Sequence, residues 1–165
     1  MTKHGFKRIA VLVAAAVLAL GVLSACTSPM QTSANSAQQA NRTYMSQVNQ
    51  IMDTLQTDLK GFTDAVSRND LVNMQTQADS ALGDLDKLSS LDVPDGFDDI
   101  QSNYVDGTTK LRQALNDYIA LYTEMAKTDG SYDQDAYNAR IATIQQEYND
   151  GVAALKAGDE AAASK

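Results

Sequence analysis

The chain predicts an all-α fold, an up-down-up-down antiparallel four-helix bundle. Three observations carry that expectation. Apolar residues recur at steps of three and four in four separate stretches, and no stretch alternates at the period of a strand. The breaks between the stretches are short and hold Asn, Asp, Gly, Pro and Ser, which end or start helices. Short connections between long helices place neighbours antiparallel.

The first stripe is Tyr44, Val48, Ile51, Leu55, Leu59, Phe62 and Val66. Asn69-Asp70 interrupts it, and either residue suits the cap of a second helix. That helix carries Leu71, Met74, Ala78, Ala81, Leu85 and Leu88. Asp92-Val93-Pro94 opens the third, with Pro94 expected in the first helical turn. Its stripe is Phe97, Ile100, Tyr104, Gly107, Leu111, Leu115, Tyr118, Tyr122 and Met125. Asp129-Gly130-Ser131 ends it, and Ser131 with Gln134 has the spacing of a capping box. The fourth stripe is Tyr137, Ile141, Ile144, Tyr148, Gly151 and Leu155. The bundle is expected over 39–158 with a disordered tail over 159–165; the four stripes are variants of one pattern, without a repeat strong enough for a solenoid.

Ahead of the bundle the chain changes character twice. Lys3, Lys7 and Arg8 precede an uncharged apolar run, Ile9 to Leu23, and small residues follow it. A basic start, a short apolar core and small residues make a secretory signal, and the run is shorter than the roughly 20 residues of a permanent span. The signal peptide is expected over 1–25. The stretch TSPMQTSANSAQ after residue 26 is uncharged, polar and without apolar period, so 26–38 reads as a flexible linker.

The junction holds the chain's one cysteine. Leu23-Ser24-Ala25-Cys26 resembles the lipobox of bacterial lipoproteins, matching at all four positions. The resemblance implies a diacylglyceryl group on the Cys26 sulfur, cleavage on its amino side, and a mature N-terminus at that residue. It also implies a lipid-anchored place on the extracytoplasmic side of a cell membrane or outer membrane. A free thiol there would be open to pairing between molecules, which lipidation removes. Two acyl chains anchor stably where one is marginal. Thr27 stands where lipoproteins retained at the inner membrane of two-membrane bacteria commonly carry Asp.

Composition narrows the chemistry. After residue 25 the chain keeps ten basic and 21 acidic residues, a net charge of −11, with no His and no Trp. No Cys and His set remains for zinc, haem or iron–sulfur, and no imidazole for a Ser-His pair. No cofactor or metal is expected, and no enzyme. Nucleic acid is disfavoured because phosphate binding needs a basic surface. Asp92, Asp95, Asp98 and Asp99 crowd one helix start, where carboxylates favour the macrodipole; an oxygen-ligated Ca²⁺ or Mg²⁺ is the sharper alternative. Asp129, Ser131, Asp133 and Asp135 have the alternation of an EF-hand loop, but Gln134 and Arg140 stand where its glycine and bidentate Glu belong. Tyrosines at helical spacing read first as core with hydroxyls at the rim. The Asn41-Arg42-Thr43 sequon carries no weight in a bacterial lipoprotein.

Two further expectations concern packing. Counted from the turns, Gly61, Ala78, Gly107 and Gly151 fall at about one height. Interior helix glycine costs about 1 kcal/mol relative to Ala, so that layer is expected either as a close approach of helices or as a small cavity flanked by Tyr104 and Tyr148. Close packing of interiors favours the approach. The third helix is expected to outrun the second by about a dozen residues, roughly 20 Å. The overhang would expose Tyr118, Tyr122 and Tyr137 as a partner contact facing away from the membrane. These readings point to a non-catalytic binding or interaction module at the cell envelope, held to the membrane by lipid and meeting an envelope protein. The alternative is a helical lipoprotein that binds a small molecule or cation.

Overall fold

The computed structural model describes residues 34–127 and 133–165, and the described residues form four α-helices without a strand. They are α1, Ala34–Arg68; α2, Leu71–Ser89; α3, Asp98–Lys127; and α4, Gln134–Ala163. Consecutive helices pack side by side in a four-helix bundle, with α3 on α4 and α1 on α2 as the most extensive faces. The core is built from the expected stripes, with Tyr44, Val48, Leu55, Met74, Leu85, Leu88, Ile100, Tyr104, Leu111, Leu115 and Leu155 all but inaccessible.

The termini of the helices follow from local chemistry. Asn69 has φ +54°, a left-handed conformation that Asn tolerates, and it ends α1. The Asn69 N–H donates to the Val66 carbonyl and the Asp70 N–H to the Ala65 carbonyl, the two bonds of a Schellman motif. Asp70 then caps α2, its carboxylate accepting from the Asn73 N–H. Pro94 lies outside α3, contrary to its expected place in the first helical turn. Pro94-Asp95-Gly96-Phe97 is a turn closed by the Phe97 N–H on the Pro94 carbonyl, 3.0 Å, with Gly96 at φ +81°. A turn of this shape requires positive φ at its third residue, which Gly96 supplies. The cap of α4 is Asp133 rather than Ser131, which is outside the described residues. The Asp133 carboxylate accepts from the Asp135 and Ala136 N–H groups.

The helix ends also shift the expected domain limits. The helix α1 starts at Ala34, inside the segment expected as linker, and residues 36–40 are exposed, so the bundle core begins only at Tyr44. The segment 159–165, expected disordered, is helical through Ala163. The Tyr104 hydroxyl donates to Asp159, 2.8 Å, and the Lys165 ammonium to the Gly96 carbonyl, 2.8 Å, which hold that end against α3 and the turn.

Glycine separates the helix pairs. A Cβ on Gly107 would stand 2.7 Å from a Leu155 methyl and 2.9 Å from the Gly151 carbonyl; one on Gly151 would stand 3.0 Å from the Leu111 amide nitrogen. The α3 and α4 backbones therefore touch at this crossing, the close approach rather than the cavity. Gly61 belongs to another level, and the single expected layer does not exist. Tyr44 bonds Gln101, 57 residues on, and Tyr122 bonds Asn69, 53 residues back, so α1 and α3 run parallel with a nearly constant offset. That offset puts Gly61 about nine residues, about 14 Å, beyond Gly107. There its partner is the Gln77 side chain of α2.

Candidate functional site

Cys26 and the whole lipobox lie outside the described residues. The three tyrosines expected at a partner surface do not form one. Tyr118 is 5% exposed and Tyr122 9%, while Tyr137 is half-buried against the core. Phe62 of α1 meets the Tyr118 ring edge-on at 5.5 Å, and the Tyr122 hydroxyl donates to the Asn69 carbonyl at 3.2 Å. The overhang is reckoned from the lengths of α2 and α3, and it holds only if α1 does not shift to cover it. The apolar stripe of α1 runs on through Phe62 and Val66, and these residues need cover as much as the tyrosines do, so α1 closes over the expected patch. Beyond Tyr122, the described part of α3 runs to Lys127, about 8 Å.

The acidic clusters are also placed. Asp92, Asp95, Asp98 and Asp99 are exposed around the 94–97 turn, with Asp98 and Asp99 in the first turn of α3, where the macrodipole favours negative charge. Asp129 and Ser131 fall outside the described residues, and Asp133 and Asp135 are exposed at the start of α4. Among the described residues no three acidic side chains converge as a metal would require.

Two polar constellations do form, and neither was singled out in the sequence. One closes the end of the bundle nearest the lipobox in sequence. The Tyr44 hydroxyl donates to Gln101 Oε1 at 2.6 Å, and Gln101 Nε2 donates to the carbonyls of Leu88 and Ser89 at 3.2 and 3.3 Å. Phe97 stacks edge-on against Tyr44, centroids 5.6 Å apart. Burial pushes the Tyr44 phenol up to about 12. Beside it Tyr104 bonds Asp159. Burial raises both groups, the carboxylate partner raises the phenol further, and the proton stays on the tyrosine. These bonds satisfy buried groups and tie α1, α2, α3 and α4 at one end.

The second constellation lies in the seam of α1 and α2. Asp84 is 3% exposed, and its Oδ1 accepts from the Lys87 ammonium at 2.8 Å. Its Oδ2 is buried with no partner. Asp58, on α1, is half-buried. Burial raises the Asp58 carboxyl above the usual range and the Asp84 charge raises it further, against the opposing effect of Lys87. Lys87 is itself raised, by its bond to Asp84 first. A sequence signal for Asp84 existed: Ala81, Asp84 and Leu88 are spaced three and four apart, so a carboxylate occupies a core position of α2.

No family model matches this chain, and neither does any curated protein or solved structure.

Proposed function

We propose that the protein is a lipid-anchored lipoprotein of the cell envelope whose helical bundle is a non-catalytic interaction module. The observation that carries this reading is Leu23-Ser24-Ala25-Cys26 at the end of a short apolar run behind a basic start. Diacylglyceryl modification of Cys26 holds the mature chain in the membrane, and the bundle stands on the extracytoplasmic side. Two features support the arrangement. No described helix is long and apolar enough to cross a membrane, and the lipobox lies ahead of Ala34. Seven residues lie between Cys26 and Ala34, eight steps along the chain and a reach of at most about 28 Å. The first ten residues of α1 add about 15 Å before the core begins at Tyr44.

The end carrying the 94–97 turn and the α4 C-terminus then faces the membrane. The Asn69 turn and the facing ends of α3 and α4 point outward. With a mature net charge of −11, the surface is suited to a partner protein with a basic face, recognised in a salt-dependent way. The test is Cys26→Ser expressed in the native host. It is expected to be released or mislocalised and to accumulate with residues 1–25 still attached. A Cys26→Ser protein that stays in the membrane, processed as before, refutes the anchor.

A further inference from the structure

An Asp-Gly linkage is open to attack by its own atoms, because glycine has no Cβ to shield its nitrogen from the neighbouring carboxyl. The chain holds four such pairs, at 95–96, 106–107, 129–130 and 150–151, and the third lies outside the described residues. Helices hold two of the others. Gly107 and Gly151 are buried at the α3/α4 crossing, inside long helices where each amide donates to the carbonyl four residues back. Their aspartates are engaged as well, Asp106 accepting from the Lys110 ammonium at 2.6 Å and Asp150 from the Gln146 amide at 2.7 Å. Asp95-Gly96 differs on every count. Both residues are exposed in the turn between α2 and α3. Among the described residues neither the Asp95 carboxylate nor the Gly96 N–H has a hydrogen-bond partner. Around the place a Gly96 Cβ would take, nothing stands within 4 Å.

We propose that Asp95-Gly96 is a modification site of the folded protein, where the chain closes to a succinimide and reopens as isoaspartate. The Gly96 nitrogen attacks the Asp95 side-chain carboxyl carbon in its neutral acid form. A C–N bond forms, a C–O bond breaks, and the amide proton leaves with the hydroxyl as water. Water then adds back to the imide. Where it breaks the bond from the Gly96 nitrogen to the Asp95 main-chain carbonyl, that carbonyl becomes a free carboxylate and the chain runs on through the side chain. One water is lost and one regained, with no oxidant or further reactant. The turn then carries one extra carbon between Pro94 and Phe97, in the segment whose Phe97 N–H closes on the Pro94 carbonyl and whose Gly96 carbonyl receives Lys165.

The test incubates the folded mature chain in detergent at pH 5 for weeks and follows each Asp-Gly peptide by mass spectrometry. The imide is lighter by one water, and isoaspartate is counted by methyl transfer from S-adenosylmethionine with an isoaspartyl methyltransferase. Conversion at 95–96 is expected to run at least about tenfold faster than at 106–107 and 150–151, since a helical amide is released only when the helix opens. In guanidinium chloride the three rates should converge. Asp95→Glu keeps the charge but would have to close a larger, less readily formed ring, and is expected to lose the signal at that position. Three results overturn the proposal: conversion at 106–107 or 150–151 as fast as at 95–96 in the folded chain, a 95–96 peptide that stays intact when folded yet converts in denaturant, or a methylation signal undiminished in D95E. A difference among the three that persists unchanged in denaturant also overturns it, because the fold would then not be what selects the site.

Discussion

Two tyrosines of similar burial illustrate how a single hydroxyl is used. Tyr44 donates to Gln101, which is itself tied to the Leu88 and Ser89 carbonyls, whereas the Tyr118 hydroxyl is buried with no partner. Removing one member of a satisfied buried pair leaves the other unpaired, at a cost of about 1–3 kcal/mol. Tyr44→Phe is therefore expected to lower stability by about 2 kcal/mol. Tyr118→Phe removes an orphan and keeps the ring on Phe62, so denaturant unfolding should show it unchanged or about 1 kcal/mol more stable. A comparable loss in both variants would mean that the Tyr118 hydroxyl is bonded. Neither role is legible in the sequence. Helical spacing places both residues on a stripe, but whether a phenol meets a glutamine depends on the register of two helices that are 57 positions apart.

At the scale of elements, the crossing of α3 over α4 is set by glycine, and two substitutions separate the crossing from ordinary helix propensity. Gly83 of α2 has open space around the position of a Cβ, so Gly83→Ala should stabilise by about 0.5–1 kcal/mol. Gly107→Ala gains the same propensity but drives a methyl into Leu155 and the Gly151 carbonyl, and overpacking of this kind costs about 1–3 kcal/mol. The expected results are a higher unfolding midpoint for the first and a lower one for the second; a stabilised Gly107→Ala would mean that the helices part easily. The existence of four helices and the Gly107–Gly151 contact were legible, because periodicity and two glycines on facing stripes are local signals. The limits of the elements were less so. The left-handed Asn69, the Gly96 turn and the Asp133 cap each compete with a neighbouring residue able to do a similar job, such as Asp70, Pro94 or Ser131. The covering of Tyr118 and Tyr122 depended on how far α1 slides along the bundle, which lengths of α2 and α3 do not determine.

Across the whole molecule, charge sets the response to solution conditions. Asp58, Asp159 and Glu147 are all raised, each by burial first, and residues 26–165 carry a net charge of −11. A carboxyl whose folded value exceeds its unfolded value binds more protons in the native state between those two values. Its contribution to stability is present below the unfolded value and is lost as pH rises through the folded one. Asp70, lowered by its bonds to Asn73, acts in the opposite sense, at a partly exposed helix cap. The unfolding midpoint is therefore expected to rise as pH falls from 8 toward the upper edge of the carboxylate range, and added salt should raise it at pH 8 by screening self-repulsion. A midpoint that falls steadily over that range would contradict this balance. The central claim, that this acidic bundle is fixed to a membrane through Cys26, is tested most directly by mass spectrometry of the N-terminal peptide of the protein isolated from native membranes. The account predicts a peptide that begins at Cys26 and carries the mass of a diacylglyceryl group. A peptide that includes residues ahead of Cys26, or one with an unmodified Cys26, would contradict it.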